Sequence, residues 1–448
     1  MTTITVRTNS SFPAKGCSTL GLPTFTSRRS LADLLYSVQI NLLHISIAAQ
    51  PMMSNLATAW DLVILRPFGI APAYSLGAIL YATHYSGTLS VLSLTTQGST
   101  SSLSVVSSKK TCGSQPSWLT LDSANRVLYC LDEADDGATL NAYAASSSGA
   151  LTQSAQIRIG GGPVHSTLYG GPDGRSFQVV AHYGSAQLST FALPINSKSK
   201  SLQNFKYTMA HPGPNENQEA PHPHQAVLDP TGAFIVVPDL GADILRIYSV
   251  NKKTGFLTSC NNVTVAAGSG PRHAGFWNPA AGTDGTKLFL GNELSKSASA
   301  FSVSYPQKEG GCLTLELTQT AKPYPPSPPA KAGQDVEAVM VKGNTLTISN
   351  PTDNRFGSNN DSLAVFSISS SGTMALQDMS PTYGSYPRTF QINKAGDLVA
   401  IGNQNSGTVV IVARNPTSGK LGKKVASVKV GPQVTNGDGG LSSVIWDE

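Results

Sequence analysis

Charged side chains are scarce in this sequence: Asp, Glu, Lys and Arg together make up 13% of its 448 residues. The formal net charge is only +5 and no long run of Lys or Arg occurs, which argues against nucleic acid or a membrane surface as a partner. The low charge also argues against a disordered chain. Gly (42) and Pro (28) are abundant, and this composition is typical of a turn-rich all-β protein.

Cysteine is sparse as well. The sequence has five cysteines and no C-x-x-C spacing, so a structural zinc site is not expected. If Cys17 is removed with an amino-terminal segment, four remain, an even number that suits an oxidising compartment. The sequence leaves the pairing of these four open; they are Cys112, Cys130, Cys260 and Cys312.

Residues 1–55 are expected to form a segment separate from a domain at 56–448. The first 29 residues contain no acidic side chain, and Leu34–Ala49 is uncharged and largely apolar but short for a membrane span. A signal peptide cleaved near Ala49 is the favoured interpretation and predicts secretion. A mitochondrial-type presequence and a true start at Met52 or Met53 are the alternatives, the latter leaving a cytoplasmic protein.

One unit recurs from about residue 76 onward. It consists of Pro, an apolar strand, a Gly-containing turn, a second apolar strand with a polar end, and a third strand. Seven such units, spaced by 47 to 66 residues where their starts are clear, predict a seven-bladed β-propeller of the all-β class. The segment after Lys420 is expected to supply the last strand, with early residues completing the ring. The units begin at Ala78, Pro116, Pro163, Pro223, Pro271, near Glu337 and at Pro387.

Polar side chains concentrate at two positions of this unit, the start of the first strand and the end of the second. In a propeller blade both positions lie on one face around the central channel, so they predict a site there. Taken singly, each residue also suits a turn cap or a local ion pair. The first-strand starts carry His224, Arg272, His273 and Arg388; the second-strand ends carry His84, Asp132, His182, Asp239, Glu293, Asn350 and Asn403.

Four residues from three consecutive blades form the predicted catalytic group: His224, Arg272, Glu293 and Arg355. A Glu and a His beside arginines could exchange protons with a substrate. Two arginines could hold a carboxylate or a phosphate and stabilise an oxyanion. The substrate-binding residues expected around this group are His273, Asp239, Arg388 and Asn403.

His222 and His224 are two residues apart, so on a strand they would face the same side. A metal pair is nevertheless not expected there, because the arginines predicted alongside would repel a cation. The same repulsion argues against a hard-metal site built from Glu293, Asp239 and Asn403. His224 is therefore expected to transfer protons, and His222 to be a loop residue.

Several stretches resemble the seven-bladed propeller lactonase family, which groups bacterial 6-phosphogluconolactonases with the fungal carboxy-cis,cis-muconate lactonizing enzyme. They include "HPHQAVLDPTGAFIVVPDLGADILRIY", "GSGPRHAGFWNP", "LGNELSKSASAFSV" and "ISNPTDNRFGSNNDSLAVFSI". The resemblance covers residues 76–448. It implies that the family's central His, Arg, Glu and second Arg correspond to His224, Arg272, Glu293 and Arg355, and it implies no metal or organic cofactor.

The expected function is hydrolysis of a sugar-derived or related lactone, with a small-molecule lactone or carboxylate as partner. Glu293 and His224 would transfer protons, while Arg272 and Arg355 would bind the acid group and stabilise negative charge. Cyclisation of a carboxymuconate is the alternative chemistry. A secreted, non-catalytic propeller glycoprotein that acts as a binding module is the alternative class, and the oligomeric state stays open.

Overall fold

The computed structural model describes residues 77–280, 282–308, 310–326, 335–435 and 439–448. These residues form 29 β-strands and one short 3-10 turn, Glu216–Gln218. The segment 1–55, its three interpretations and the boundary at residue 56 lie outside the described residues and stay predictions.

The strands form seven antiparallel sheets arranged as the blades of a propeller, which confirms the predicted fold. The first blade contains β1 (Ala78–His84), β2 (Thr88–Gln97) and β3 (Thr100–Lys110); the second contains β4 (Pro116–Asp122), β5 (Val127–Asp132), β6 (Thr139–Ala145) and β7 (Leu151–Arg158). The third contains β8 (Pro163–Tyr169), β9 (Phe177–His182), β10 (Gln187–Ala192) and β11 (Gln203–Lys206). The fourth contains β12 (Val227–Leu228), β13 (Phe234–Asp239), β14 (Ile244–Val250), β15 (Leu257–Ser259) and β16 (Val263–Thr264).

The remaining blades repeat the four-stranded order. The fifth contains β17 (Pro271–Trp277), β18 (Lys287–Asn292), β19 (Ser297–Ser304) and β20 (Thr314–Ala321). The sixth contains β21 (Val339–Lys342), β22 (Thr345–Asn350), β23 (Ser362–Ile368) and β24 (Met374–Pro381). The seventh contains β25 (Pro387–Ile392), β26 (Leu398–Asn403), β27 (Thr408–Arg414) and β28 (Leu421–Lys429), and the chain then ends on β29 (Leu441–Trp446).

The ring is closed by β29, which pairs with β1 and becomes the innermost strand of the first blade. The segment after Lys420 forms the last strand of the seventh blade, as expected, and is not the strand that closes the ring. It is β28, the outer strand of that blade, and its side chains are mostly solvent-exposed or half-buried. An inner strand is buried on both faces, as β29 is along its whole length.

Each sheet packs between two neighbours, so the core lies between blades. In the cluster between the first and seventh blades, Leu80 and Leu92 pack with Ala400 and Ile411. The second strands are consequently buried on both faces, as β13 is at every residue. This two-sided burial explains why these strands appear in the sequence as continuous apolar runs rather than as alternating patterns.

Two disulfides link neighbouring blades. Cys112, which follows β3, is bonded to Cys130 in β5, and Cys260, which follows β15, is bonded to Cys312 just before β20. The first bond therefore joins blades one and two, and the second joins blades four and five. None of the described residues belongs to a helix with the length and apolar character needed to cross a bilayer.

Candidate active site in the central channel

The last residue of each second strand holds the loop that arrives from the preceding blade. Asp239, for example, accepts a hydrogen bond from the backbone N–H of His222 at 2.7 Å. In six of the seven blades a buried polar side chain bonds to this incoming backbone. These contacts join His84 to Pro432, Asp132 to Gln115, His182 to Gly160, Asp239 to His222, Asn350 to Pro323 and Asn403 to Thr382.

The residue directly after each of four strand ends is half-buried and belongs to the channel. Side chains alternate in direction along a strand, so a shift of one residue turns the side chain from the loop towards the channel axis. Glu293 follows the last residue of β18 and contacts Arg272. The four residues in this position are Tyr85, Glu133, Tyr183 and Glu293.

A second position also faces the channel, the residue after the Pro at the start of an innermost strand. The strand pairing shifts across this residue, for example between Pro271 and His273, so that Arg272 has no partner opposite it. Such a β-bulge re-aims one side chain. Ser117, Val164, Arg272 and Arg388 occupy these bulges, and all four line one small cavity.

This cavity lies where four predicted site residues meet. His224, Arg272, His273 and Arg388 line its wall, together with Trp118. Its volume of about 10 Å³ is room for roughly one water molecule. The cavity therefore has no room for a ligand larger than a water molecule.

Arg272 forms ion pairs with two carboxylates, Glu293 and Glu337. Its Nε lies 2.6 Å from Glu293 Oε2, and its Nη2 pairs with Glu337 Oε2. Tyr386 Oη donates a hydrogen bond to Glu337 Oε1 at 3.2 Å. The Arg272 side chain is 3% exposed and that of Glu293 is 20% exposed, so Glu293 is the member of this group that solvent or a substrate can reach.

The electrostatics of this group favour proton transfer near neutral pH. Burial raises the pKa of Glu293 to about 7; Arg272 opposes this shift, and the negative charges of Glu337 and Asp335 add to it. Burial also raises the pKa of Asp335 to about 6, again with a contribution from Glu337. A carboxyl group that titrates near 7 is suited to act as a general base.

The histidines of the channel are neutral. Burial, and then the nearby Arg272, lower the pKa of His224 and of His273 well below the usual value. The two rings meet edge to face with centroids 5.2 Å apart. Among the described residues, His224 Nδ1 has no hydrogen-bond partner. One ring nitrogen of the predicted acid/base residue is thus buried and unpaired at the cavity wall.

Arg388, from the seventh blade, lies over the ring of Tyr85, with its Cζ 5.6 Å from the ring centroid. Tyr85 Oη donates a hydrogen bond to Glu133 Oε2 at 2.5 Å. Burial raises the pKa of Glu133, and Arg388 opposes that rise. Within the described residues no carboxylate lies at ion-pair distance from Arg388, in contrast to Arg272. Burial opposes the charged form of Arg388, but nearby Tyr85, Glu337 and Glu133 raise its pKa overall.

Asp239 and Asn403, expected to bind substrate, are bonded within the protein. Both residues are fully buried. Asp239 Oδ2 pairs with Arg246 Nη2 at 2.7 Å, while its Oδ1 accepts the His222 N–H. Asn403 Nδ2 donates to the carbonyl of Thr382 at 3.0 Å. These contacts give both side chains a role in positioning loops, and their contact with a substrate stays a prediction.

His222 is a structural residue of the loop before β12. Its ring stacks on Tyr183 with centroids 4.0 Å apart, and its Nε2 lies 2.9 Å from Glu219 Oε1. Tyr183 in turn meets the ring of His224 edge to face at 5.7 Å. The two neighbouring histidines therefore differ as expected, since His224 lines the cavity and His222 supports the aromatic ring beside it.

Arg355 lies in the loop between β22 and β23. Its Nε is 3.7 Å from Asp353 Oδ2 in the same loop, and its side chain is 16% exposed. The structure thus gives Arg355 a partner within its own loop, and its role as the second catalytic arginine stays a prediction.

Sequence reasoning missed Tyr85, Glu133, Tyr183, Asp335, Glu337 and Tyr386. Three of them could have been found, because Tyr85, Glu133 and Tyr183 directly follow the strand ends His84, Asp132 and His182, just as Glu293 follows Asn292. Glu337 marks the start of the sixth unit, but that unit lacks the Pro that marks the bulge elsewhere.

The fold and this arrangement of side chains define a propeller of the lactonase class. A sequence profile of the family described as "Lactonase, 7-bladed beta-propeller" matches residues 79–436. The chain belongs to this family.

Individual proteins similar to this chain are also named as lactonases. A probable 6-phosphogluconolactonase of Arthroderma benhamiae is 30% identical over 320 residues, which cover 70% of this chain and 78% of that protein. The 6-phosphogluconolactonase of Bacillus subtilis is 28% identical over 324 residues, covering 70% and 84%. A solved periplasmic gluconolactonase of Pseudomonas aeruginosa matches with a TM-score of 0.66 and 25% identity, covering 82% of this chain and 98% of that one. The predicted family and enzyme class are confirmed, and the muconate-lactonizing alternative is not needed.

Proposed function

We propose that this protein hydrolyses a sugar-derived lactone at the mouth of its central channel, with Glu293 as general base. The observation that carries this proposal is the buried pair of Arg272 and Glu293, joined at 2.6 Å beside the cavity wall that His224 and Arg388 share. The names of the relatives, 6-phosphogluconolactonase and gluconolactonase, support the same reaction class.

In the proposed reaction, ionised Glu293 takes a proton from a water molecule as the water oxygen bonds to the lactone carbonyl carbon. Negative charge develops on the carbonyl oxygen, and Arg388 is the nearby guanidinium free to stabilise it. The ring C–O bond then breaks, and the proton held by Glu293 passes to the departing oxygen. Water is the only co-reactant, and the product is a hydroxy acid.

His224 and Arg355 complete the proposed machinery. Neutral His224 would hydrogen-bond the lactone through its free ring nitrogen and fix its orientation. Arg355, as its match to the family motif implies, would bind a second substrate oxygen from the loop after β22. This assignment requires the half-buried Arg355 side chain to exchange its Asp353 partner for substrate.

A proton-release assay against a panel of lactones, corrected for spontaneous hydrolysis, tests this proposal. We expect the wild type to accelerate hydrolysis and Glu293→Gln to lose about 10²-fold or more of kcat. Glu316→Gln, on the exposed outer strand β20, is the matched control and should keep wild-type activity. Equal activity of Glu293→Gln and wild type, or no turnover of any lactone, overturns the proposal and favours a non-catalytic binding protein.

We also propose that the protein folds in an oxidising compartment, as expected of a secreted protein. Both disulfides are buried or half-buried bridges between blades, and such bonds persist outside the reducing cytosol. Thiol alkylation and mass spectrometry of the protein from its native source test this point. Four alkylated cysteines in the mature chain would contradict it.

A further inference from the structure

The cations of the proposed site are largely neutralised by the protein itself. Arg272 is paired with two carboxylates, Glu293 and Glu337. Lys296 acts electrostatically on Asp335, whose pKa it lowers against the stronger effect of burial. Outside this group, Arg355 has Asp353 as its partner. In the described part of the chain, Arg388 is thus the site guanidinium without a carboxylate ion pair.

The carboxyl groups that surround the channel mouth outnumber the guanidiniums. Glu133 acts from the second blade, Glu293 from the fifth, and Asp335 and Glu337 from the sixth. Their mutual influence is direct, since Glu337 and Asp335 both raise the pKa of Glu293. A ligand with further negative charge would meet repulsion at this mouth, which like-charge pairs in a partly buried site make strong.

The neutral polar groups suit a ligand rich in hydroxyls. Tyr85, Tyr183 and Tyr386 are half-buried, and each has a raised pKa that keeps its hydroxyl protonated. Burial is the main cause for Tyr85 and Tyr183, whereas for Tyr386 the charge of Glu337 raises the pKa most and burial adds to it. Tyr85 and Tyr386 direct their hydroxyls to Glu133 and Glu337, leaving the carboxylates as further acceptors for ligand hydroxyl groups. Phosphate sites are instead built from several arginines or from helix N-termini. No described residue lies in an α-helix.

We propose that the site takes an uncharged aldonolactone, and that Glu133, Asp335 and Glu337 are specificity-determining residues that reject a lactone carrying a phosphate group. This inference rests on the proposed lactone hydrolysis. One free guanidinium is enough for the single charge that develops on the carbonyl oxygen, but not for an additional phosphate dianion. The proposal separates this chain from the relatives named 6-phosphogluconolactonase and sets it beside the gluconolactonase.

The test compares kcat/KM for D-glucono-1,5-lactone and for its 6-phosphate with the full-length protein. We expect the uncharged lactone to be preferred on the order of tenfold or more. The preference should shrink as salt is added, because ionic screening weakens charge repulsion between a ligand and a half-buried group. Asp335→Asn removes one charge without removing a partner of Arg272, and it should narrow the preference severalfold. Asp284→Asn is the matched control, since Asp284 is exposed in the loop between β17 and β18.

Two results overturn the inference while leaving lactone hydrolysis intact. One is equal or better turnover of the phosphorylated lactone by the wild type. The other is a preference that neither salt nor Asp335→Asn changes, which would assign the selectivity to shape rather than to charge. If neither lactone is hydrolysed, the proposed lactone hydrolysis is wrong, and so is the proposed preference for an uncharged lactone.

Discussion

Arg272 Nε lies 2.6 Å from Glu293 Oε2; Arg272 belongs to β17, and Glu293 directly follows β18, the adjacent strand of the same blade. The guanidinium also pairs with Glu337 from the next blade. Glu293, the base of the proposed reaction, therefore shares its cation with a second carboxylate. Burial of Glu293 favours its protonated form and Arg272 favours its ionised form. The balance between these two effects decides at which pH the site works.

The first prediction concerns pH. Because Glu293 has a pKa of about 7 and must be ionised to accept a proton, kcat/KM should rise through this pH and level off above it. His224 should add no step in the same range, because its pKa lies well below the usual value. Rate measurements across neutral pH, with residual activity of Glu293→Gln as control, check this. A profile that falls as pH rises through 7 would assign the base to another group.

The second prediction separates the two neighbouring histidines. His224→Gln should lower kcat by about 10²-fold with little change in thermal stability, because its ring lines the cavity and its Nδ1 has no protein partner among the described residues. His222→Gln should lower the free energy of unfolding by about 1 kcal/mol or more, because the ring bonds to Glu219 and to the Tyr183 carbonyl. Steady-state kinetics and denaturant unfolding of both variants are the measurements. Loss of stability in His224→Gln and loss of kcat in His222→Gln would make His224 the structural residue and His222 the functional one.

The third prediction separates the two arginines of the cavity wall. Arg272→Met leaves Glu293 and Glu337 without their cation and should lower the free energy of unfolding by about 3–5 kcal/mol. Arg388→Met removes no carboxylate ion pair from the described part of the chain and should cost less than about 1 kcal/mol while still lowering kcat/KM. Denaturant titration at fixed pH measures both values. Equal destabilisation would show that Arg388 is a structural residue.

The fourth prediction concerns the disulfides. Replacing Cys260 and Cys312 by Ala opens a loop of 52 residues, and we expect a loss of about 4 kcal/mol in unfolding free energy. Replacing Cys112 and Cys130 opens a loop of 18 residues and should cost about 3 kcal/mol. Denaturant unfolding of the two double variants gives the order. A larger loss for the shorter loop would mean that local packing, and not chain entropy, dominates.

The propeller was predictable from sequence because each blade repeats the same succession of buried strands and Gly-bearing turns. His224, Arg272, His273 and Arg388 were predictable as neighbours because they begin innermost strands, and a Pro marks most of these positions. All four line the same cavity. Because the blades repeat around one axis, residues at equivalent positions of the repeat lie close together in the structure.

The rest of the site depends on features that repetition does not reveal. A one-residue shift separates Asp132, which holds a loop, from Glu133, which faces the channel, and no polar pattern marks that difference. Glu337 and Tyr386 reach the site through contacts between blades. The closing strand β29 was not predicted, because the sequences of β28 and β29 are both compatible with a strand and the two differ in burial.

The strand β29 also determines when the protein becomes an enzyme. The side chains of the site come from every blade of the ring: Tyr85, Glu133, Tyr183, His224, Arg272, Glu337 and Arg388 represent blades one to seven. During synthesis β29 is the last of the 29 strands to leave the ribosome. The blades can form one after another, but the opposing walls of the site stay apart until that strand inserts beside β1. A chain that lacks β29 is therefore expected to carry the side chains of the proposed site without holding the first and seventh blades together around it.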